Sequence, residues 1–172
     1  MGYVPAATLG SKIYTAGGST WTGTTIIDSF NSYAYDPVAD TIATIAGIPR
    51  QTAETRAVNE NGQMWVLGGG RVAPNPSNEV DGYTPGTDTW GLPPAFVLAR
   101  RNIAADVDPA TGDIYMVGGY APTTATSNME IFLGSVSPGT AFCEPGVGGV
   151  MACVCGNPNG PGAGCANTGS AG

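Results

Sequence analysis

Histidine is absent from all 172 residues. Without imidazole the chain cannot build a Ser-His-Asp or Cys-His nucleophile pair, a His-ligated zinc or copper centre, or a histidine pH switch. Charge is scarce too: charged residues make up 11%, and six Lys+Arg against 13 Asp+Glu leave a formal net charge of −7. The cations (Lys12, Arg50, Arg56, Arg71, Arg100 and Arg101) are few and scattered. Such a chain lacks the basic footprint a phosphate backbone requires, so nucleic acid is not an expected partner. No run of about 18 apolar residues occurs, so no membrane-spanning helix is expected. The start, Met1-Gly-Tyr-Val-Pro-Ala-Ala, has neither a charged n-region nor an apolar h-region, and a signal peptide is not expected in this chain. Cysteine is missing before position 143.

Glycine and proline are plentiful, at 27 and 14, while hydrophobic residues still reach 42%. That is enough apolar material for a packed core, cut into short pieces that favour strands and turns over long helices. The punctuation thickens from Pro138 onward, where 14 of the last 35 residues are Gly or Pro and no charge follows Glu144. The expected division is therefore 1–137 for the folded part and 138–172 for a Cys/Gly/Pro-rich tail.

Three internal copies are visible in the first part. A short apolar run ending in two glycines recurs as Ile13-Tyr-Thr-Ala-Gly17-Gly18, Met64-Trp-Val-Leu-Gly68-Gly69 and Ile114-Tyr-Met-Val-Gly118-Gly119, with steps of 51 and 50. A turn pair precedes each run: Gly10-Ser11, Asn61-Gly62, Thr111-Gly112. An aromatic follows at Tyr35, Tyr83 and Phe132, and Ile42 and Trp90 each stand seven positions beyond their tyrosine. Arg50 and Arg100 each stand 18 positions before a glycine. Each unit of about 50 residues (1–47, 48–97, 98–137) reads as four short antiparallel strands; for the second these are 51–58, 63–69, 79–84 and 88–92. A sheet so small must stack on neighbours to bury its faces, with paired glycines where backbones approach and aromatics between sheets.

These residues resemble the kelch repeat of β-propeller proteins: the diglycines at 17–18, 68–69 and 118–119, the aromatic position at Tyr35, Tyr83 and Phe132, and the tryptophan position at Trp90. The pattern departs from the family at Ile42, at Phe132, and in the third unit, where Gly139 holds the tryptophan position and no fourth strand is evident. The resemblance implies an all-β fold of four-stranded propeller blades in an incomplete ring of about three. Rings normally close with four to eight blades. A fragment of a longer reading frame is expected, with self-association completing the ring as the alternative.

The tail carries Cys143, Cys153, Cys155 and Cys165 in the symmetrical spacing C-x9-C-x-C-x9-C. Disulfides, a four-thiolate zinc site and free thiols are the three readings, and an even count in a Gly-rich segment with little apolar content favours disulfides. Three connectivities are open, of which the adjacent loops 143–153 and 155–165 strain the backbone least. The segment also resembles Cys/Gly-rich modules of secreted planctomycete-type bacterial proteins, which implies an extracellular or cell-surface setting.

Candidate sites are few. Asp106-Val-Asp-Pro-Ala-Thr-Gly-Asp113 has a calcium-loop look, but it lacks a closing Glu and falls where another unit has a plain hairpin turn. Gly68-Gly-Gly70-Arg71 has no GK[ST] and so is no phosphate loop. Arg50, Arg100 and Arg101, with Arg56, lie near one rim of the expected blades. They could face an anionic ligand, although pairing between blades with acids such as Asp36 is the plainer reading. Tyr14, Trp65 and Tyr115 occupy equivalent positions and are expected to fill core. The function that follows is a non-catalytic module binding protein or glycan, with no metal or cofactor implied. A secreted propeller enzyme of galactose-oxidase architecture is the alternative, and the missing histidine speaks against it.

Overall fold

In a computed structural model of the chain, residues 2–70, 76–121 and 123–133 are described, all within one compact unit spanning 1–134. The fold is all-β, with no α-helix among the described residues. The first sheet runs in the order β1 (Ala6–Leu9), β2 (Lys12–Ala16), β5 (Ser32–Asp36), β6 (Thr41–Ile45), with a separate hairpin, β3 (Ser19–Trp21) and β4 (Ile26–Asp28), inserted between β2 and β5. The second sheet is β7 (Arg56–Glu60), β8 (Gln63–Leu67), β9 (Val80–Thr84) and β10 (Thr89–Gly91). The third comprises β11 (Ala104–Val107), β12 (Ile114–Val117) and β13 (Met129–Phe132). Every pairing between these strands is antiparallel.

Register makes the three copies superimposable on paper. Ile13 faces Tyr35, Met64 faces Tyr83 and Ile114 faces Phe132 across the second and third strands of each sheet. Strand side chains alternate between faces, so the middle sheet presents one face to the first sheet and the other to the third. Ala7, Leu9, Tyr14 and Ala16 of the first sheet pack against Ala57, Met64, Val66 and Tyr83 of the second. The opposite face of the second sheet, with Val58, Trp65, Leu67 and Val80, packs against Ile103, Ala105, Ile114, Met116 and Phe132. Aromatics join the sheets: Tyr14 meets Tyr83 at 5.8 Å between centroids, and Trp65 meets Phe132 edge-on at 6.1 Å. Such ring pairs add about 0.5–1.5 kcal/mol beyond area burial.

The first two diglycines are pressed between successive units. A Cβ on Gly68 would stand 2.6 Å from the Arg100 carbonyl oxygen and 2.7 Å from Phe96 Cζ, and one on Gly17 would collide with the Thr52 carbonyl. Thus the first glycine of each of these two pairs abuts the segment leading into the next sheet. The second abuts its own lead-in: Gly18 against Val4, Gly69 against Ala53 and Thr55, Gly119 against Arg101 and Ile103. Both glycines of each pair also hold positive φ, between 57° and 93°, which side chains resist.

Two expectations about strands need correction. The second sheet's first strand begins at Arg56, not at 51, because the carbonyls of 52–54 accept hydrogen bonds outside the ladder. Gly18 donates to the Thr52 carbonyl, Gly70 to Ala53 and Asn102 to Glu54, and Glu54 itself turns to φ 59°. The second strand stops at Leu67 because Gly68 and Gly69 leave extended geometry. The hairpin β3–β4 was not foreseen, although Trp21-Thr-Gly-Thr-Thr-Ile26 carries a turn glycine between apolar residues. In the third sheet the fourth-strand position lies outside the described residues.

Candidate functional site

Arginine placement decides the first candidate. Arg100 is fully buried, so it faces no ligand. Its guanidinium donates to the Gly118 and Asn128 carbonyls at 3.2 and 2.8 Å and to Glu130 at 2.7 Å, with Phe96 beneath it at 5.8 Å. Arg50 does the same job one unit earlier, donating to the Gly68 carbonyl at 3.0 Å and to Asp81 at 2.7 Å. Asp81 and Glu130 occupy equivalent positions, opposite Val66 and Met116. Arg101 pairs with Glu54 and lies over the Tyr120 ring at 5.4 Å, and Arg56 donates to the Ala105 carbonyl at 3.1 Å. These arginines are struts within and between units. Their acids are Asp81, Glu79, Glu130 and Glu54, not Asp36, which pairs with Lys12 at 3.5 Å.

The electrostatics follow from that burial. Desolvation pushes the Asp81 carboxyl above its ordinary value, outweighing the pull of the Arg50 guanidinium. Burial raises Glu60 in the same sense. At the outer edge the direction reverses. The Ala46 N–H and the Tyr83 hydroxyl both donate to Asp88, at 2.8 Å each, and hold its carboxyl below the ordinary range. Tyr83 is pushed up correspondingly by burial and by the adjacent Asp88 carboxylate. Trp90 completes the clasp by donating its indole N–H to the Ala46 carbonyl at 2.8 Å. The aromatic and tryptophan positions of the second unit thus grip the last strand region of the first.

The loop 106–113 closes as an Asx-type turn: Asp108 accepts from the Ala110 N–H, and the Asp108 carbonyl accepts from Gly112. Among the described residues no three His, Cys, Asp or Glu side chains are grouped to hold a metal ion. Arg71, Cys143, Cys153, Cys155 and Cys165 lie outside the described residues. Among those described, no helix is long and apolar enough to cross a membrane.

What the sequence reading missed is the β3–β4 hairpin. Its base is fixed: Ser19 donates to the buried Asp28 at 3.1 Å, and Gly2 exchanges backbone hydrogen bonds with Ser19. Its tip, closed by the Thr22 hydroxyl donating to the Thr25 carbonyl, lifts apolar side chains into solvent. Trp21 is 63% exposed, and its cross-strand partner Ile26 is 43% exposed. Ile27, on the other face, and Phe30 are exposed as well. Trp21 and Ile26 thus form an exposed apolar pair on a hairpin whose base is anchored. Compared with protein-family models and with curated proteins, the chain matches none.

Proposed function

We propose that this chain is a non-catalytic binding module, a kelch-like stack of propeller blades that engages a protein or glycan in an extracellular setting. The observation that carries the reading is the hairpin at 19–28, whose polar base is buried while Trp21 and Ile26 stand side by side in water. An indole face beside a branched aliphatic suits the apolar face of a sugar ring or an apolar patch on a protein. The carboxylates also support it. Asp81, Glu130 and Glu54, which a glycoside-cleaving site would want at liberty, are each bound to an arginine. The cysteine tail, read as disulfide-linked, supports the extracellular placement.

The test compares wild type with Trp21→Ala against a panel of extracellular polysaccharides and a surface-protein extract. The expected result is saturable binding of one polysaccharide or one protein that the variant loses while keeping its β-sheet circular dichroism. Equal capture by both forms, or cleavage of any polysaccharide in the panel, contradicts the reading.

A further inference from the structure

Among the described residues, the middle sheet is packed on both faces, whereas each outer sheet has one face that no described element covers. On the third sheet, β12 alternates buried Ile114 and Met116 with exposed Tyr115 and Val117, although all four are apolar. Met129 and Ile131 on β13 share that open face and are 57% and 44% exposed. Their counterparts in the second sheet, Val80 and Gly82, are buried. Gly118 tells the same story. A Cβ there would meet only the Thr126 carbonyl at 3.6 Å, whereas Gly17 and Gly68 are pressed by the next unit.

The first sheet is open on its opposite face, where Ile13, Thr15, Tyr33, Tyr35 and Ile42 line a cavity of about 230 Å³. At both internal interfaces the space in front of the residue equivalent to Tyr35 is filled by one ring. Tyr14 fills it against Tyr83, and Trp65 against Phe132. Tyr115 is the third member of the Tyr14–Trp65 series, and it is 36% exposed. The Tyr–Asp half of the clasp recurs on the first sheet: Tyr35 donates to Asp40 at 3.0 Å as Tyr83 does to Asp88, with both aspartates at φ 52°.

We infer that two copies of this chain join head to tail, Tyr115 of one copy filling the cavity bounded by Ile13, Thr15, Tyr33, Tyr35 and Ile42 on the other. The contact continues the interface already made twice inside the chain, since the face each outer sheet lacks is the face the other leaves open. It is heterologous, and two copies of the three described stacked sheets give six, within the range in which such rings close. This inference takes from the proposed function only the propeller-type stacking; hairpin binding is read separately.

The experiment is sedimentation velocity on the full chain with reductant present, so that tail disulfides cannot link copies. Tyr115→Asp and Thr15→Arg each place a charge on one of the two open faces. Both positions lie where no other described sheet packs, and circular dichroism checks the fold. Wild type is expected as a two-chain particle. Each variant alone should associate roughly a hundredfold more weakly, the effect of burying a charge without a partner. Mixed one to one, they should recover a two-chain species, because each variant keeps the face the other has lost. Trp21→Ala should leave the mass unchanged. Wild type monomeric at all concentrations, variants that associate like wild type, or a mixture that stays monomeric while wild type pairs would each overturn the inference.

Discussion

Alanine at two equivalent glycines should have unequal consequences. Gly68 and Gly118 both open a diglycine pair, with φ of 57° and 68°, so alanine at either meets the same backbone penalty, about 1 kcal/mol. Only Gly68 is pressed by a following unit. Its Cβ would sit 2.6 Å from the Arg100 carbonyl oxygen, 2.7 Å from Phe96 Cζ and 3.1 Å from the Ser77 carbonyl, and two of those neighbours are backbone that cannot swing aside. Relief requires moving the third unit's lead-in away, an overpacking cost of about 1–3 kcal/mol. It also lengthens the hydrogen bond from Gly69 to the Arg100 carbonyl, now 2.9 Å, at about 1 kcal/mol. Gly68→Ala should therefore cost about 3–5 kcal/mol, and Gly118→Ala about 1–2 kcal/mol in the isolated chain. Urea unfolding followed by circular dichroism, with a common slope, measures both. Equal losses at the two positions would refute the claim that a following lead-in segment clamps the diglycine.

Arg100→Met should destabilise the fold by about 3 kcal/mol in the same assay. That is the low end for a broken buried pair, because Glu130 is 20% exposed and keeps the Val97 and Leu98 N–H groups; a loss under 1 kcal/mol would contradict the strut role. Acid should loosen the clasp. The Asp88 carboxyl lies below 3.8 in the fold, so its stabilisation is complete above the unfolded value and disappears as pH falls through the lowered folded one. Asp81, raised by burial, works in the opposite direction. The readout is accordingly the difference between wild type and Asp88→Asn. Melting temperature should decline less steeply in the variant below about pH 4, and parallel profiles would contradict the assignment.

Repeat spacing made the sheet content and the aromatic positions legible, because glycine pairs and turn residues act locally. Strand ends were less legible. Thr52, Ala53 and Glu54 have an ordinary strand-like sequence, yet their carbonyls accept from Gly18 of the first unit, Gly70 of their own and Asn102 of the third. Only the stacked arrangement reveals that demand. The arginines' internal partners were hidden for a related reason: sequence places Arg50 and Arg100 at the start of units but does not show Asp81 and Glu130 waiting opposite them. The hairpin at 19–28 was overlooked because its residues do not recur at the repeat spacing and so left no periodic trace.

The account rests on sheets that stack by inserting an aromatic from one into the next, and ring-to-ring nuclear Overhauser effects test that most directly. With selectively labelled aromatics, cross-peaks are expected between Tyr14 and Tyr83 and between Trp65 and Phe132, whose centroids lie 5.8 and 6.1 Å apart. Intact within-sheet contacts such as Tyr83 to Met64, with neither inter-sheet cross-peak present, would contradict it.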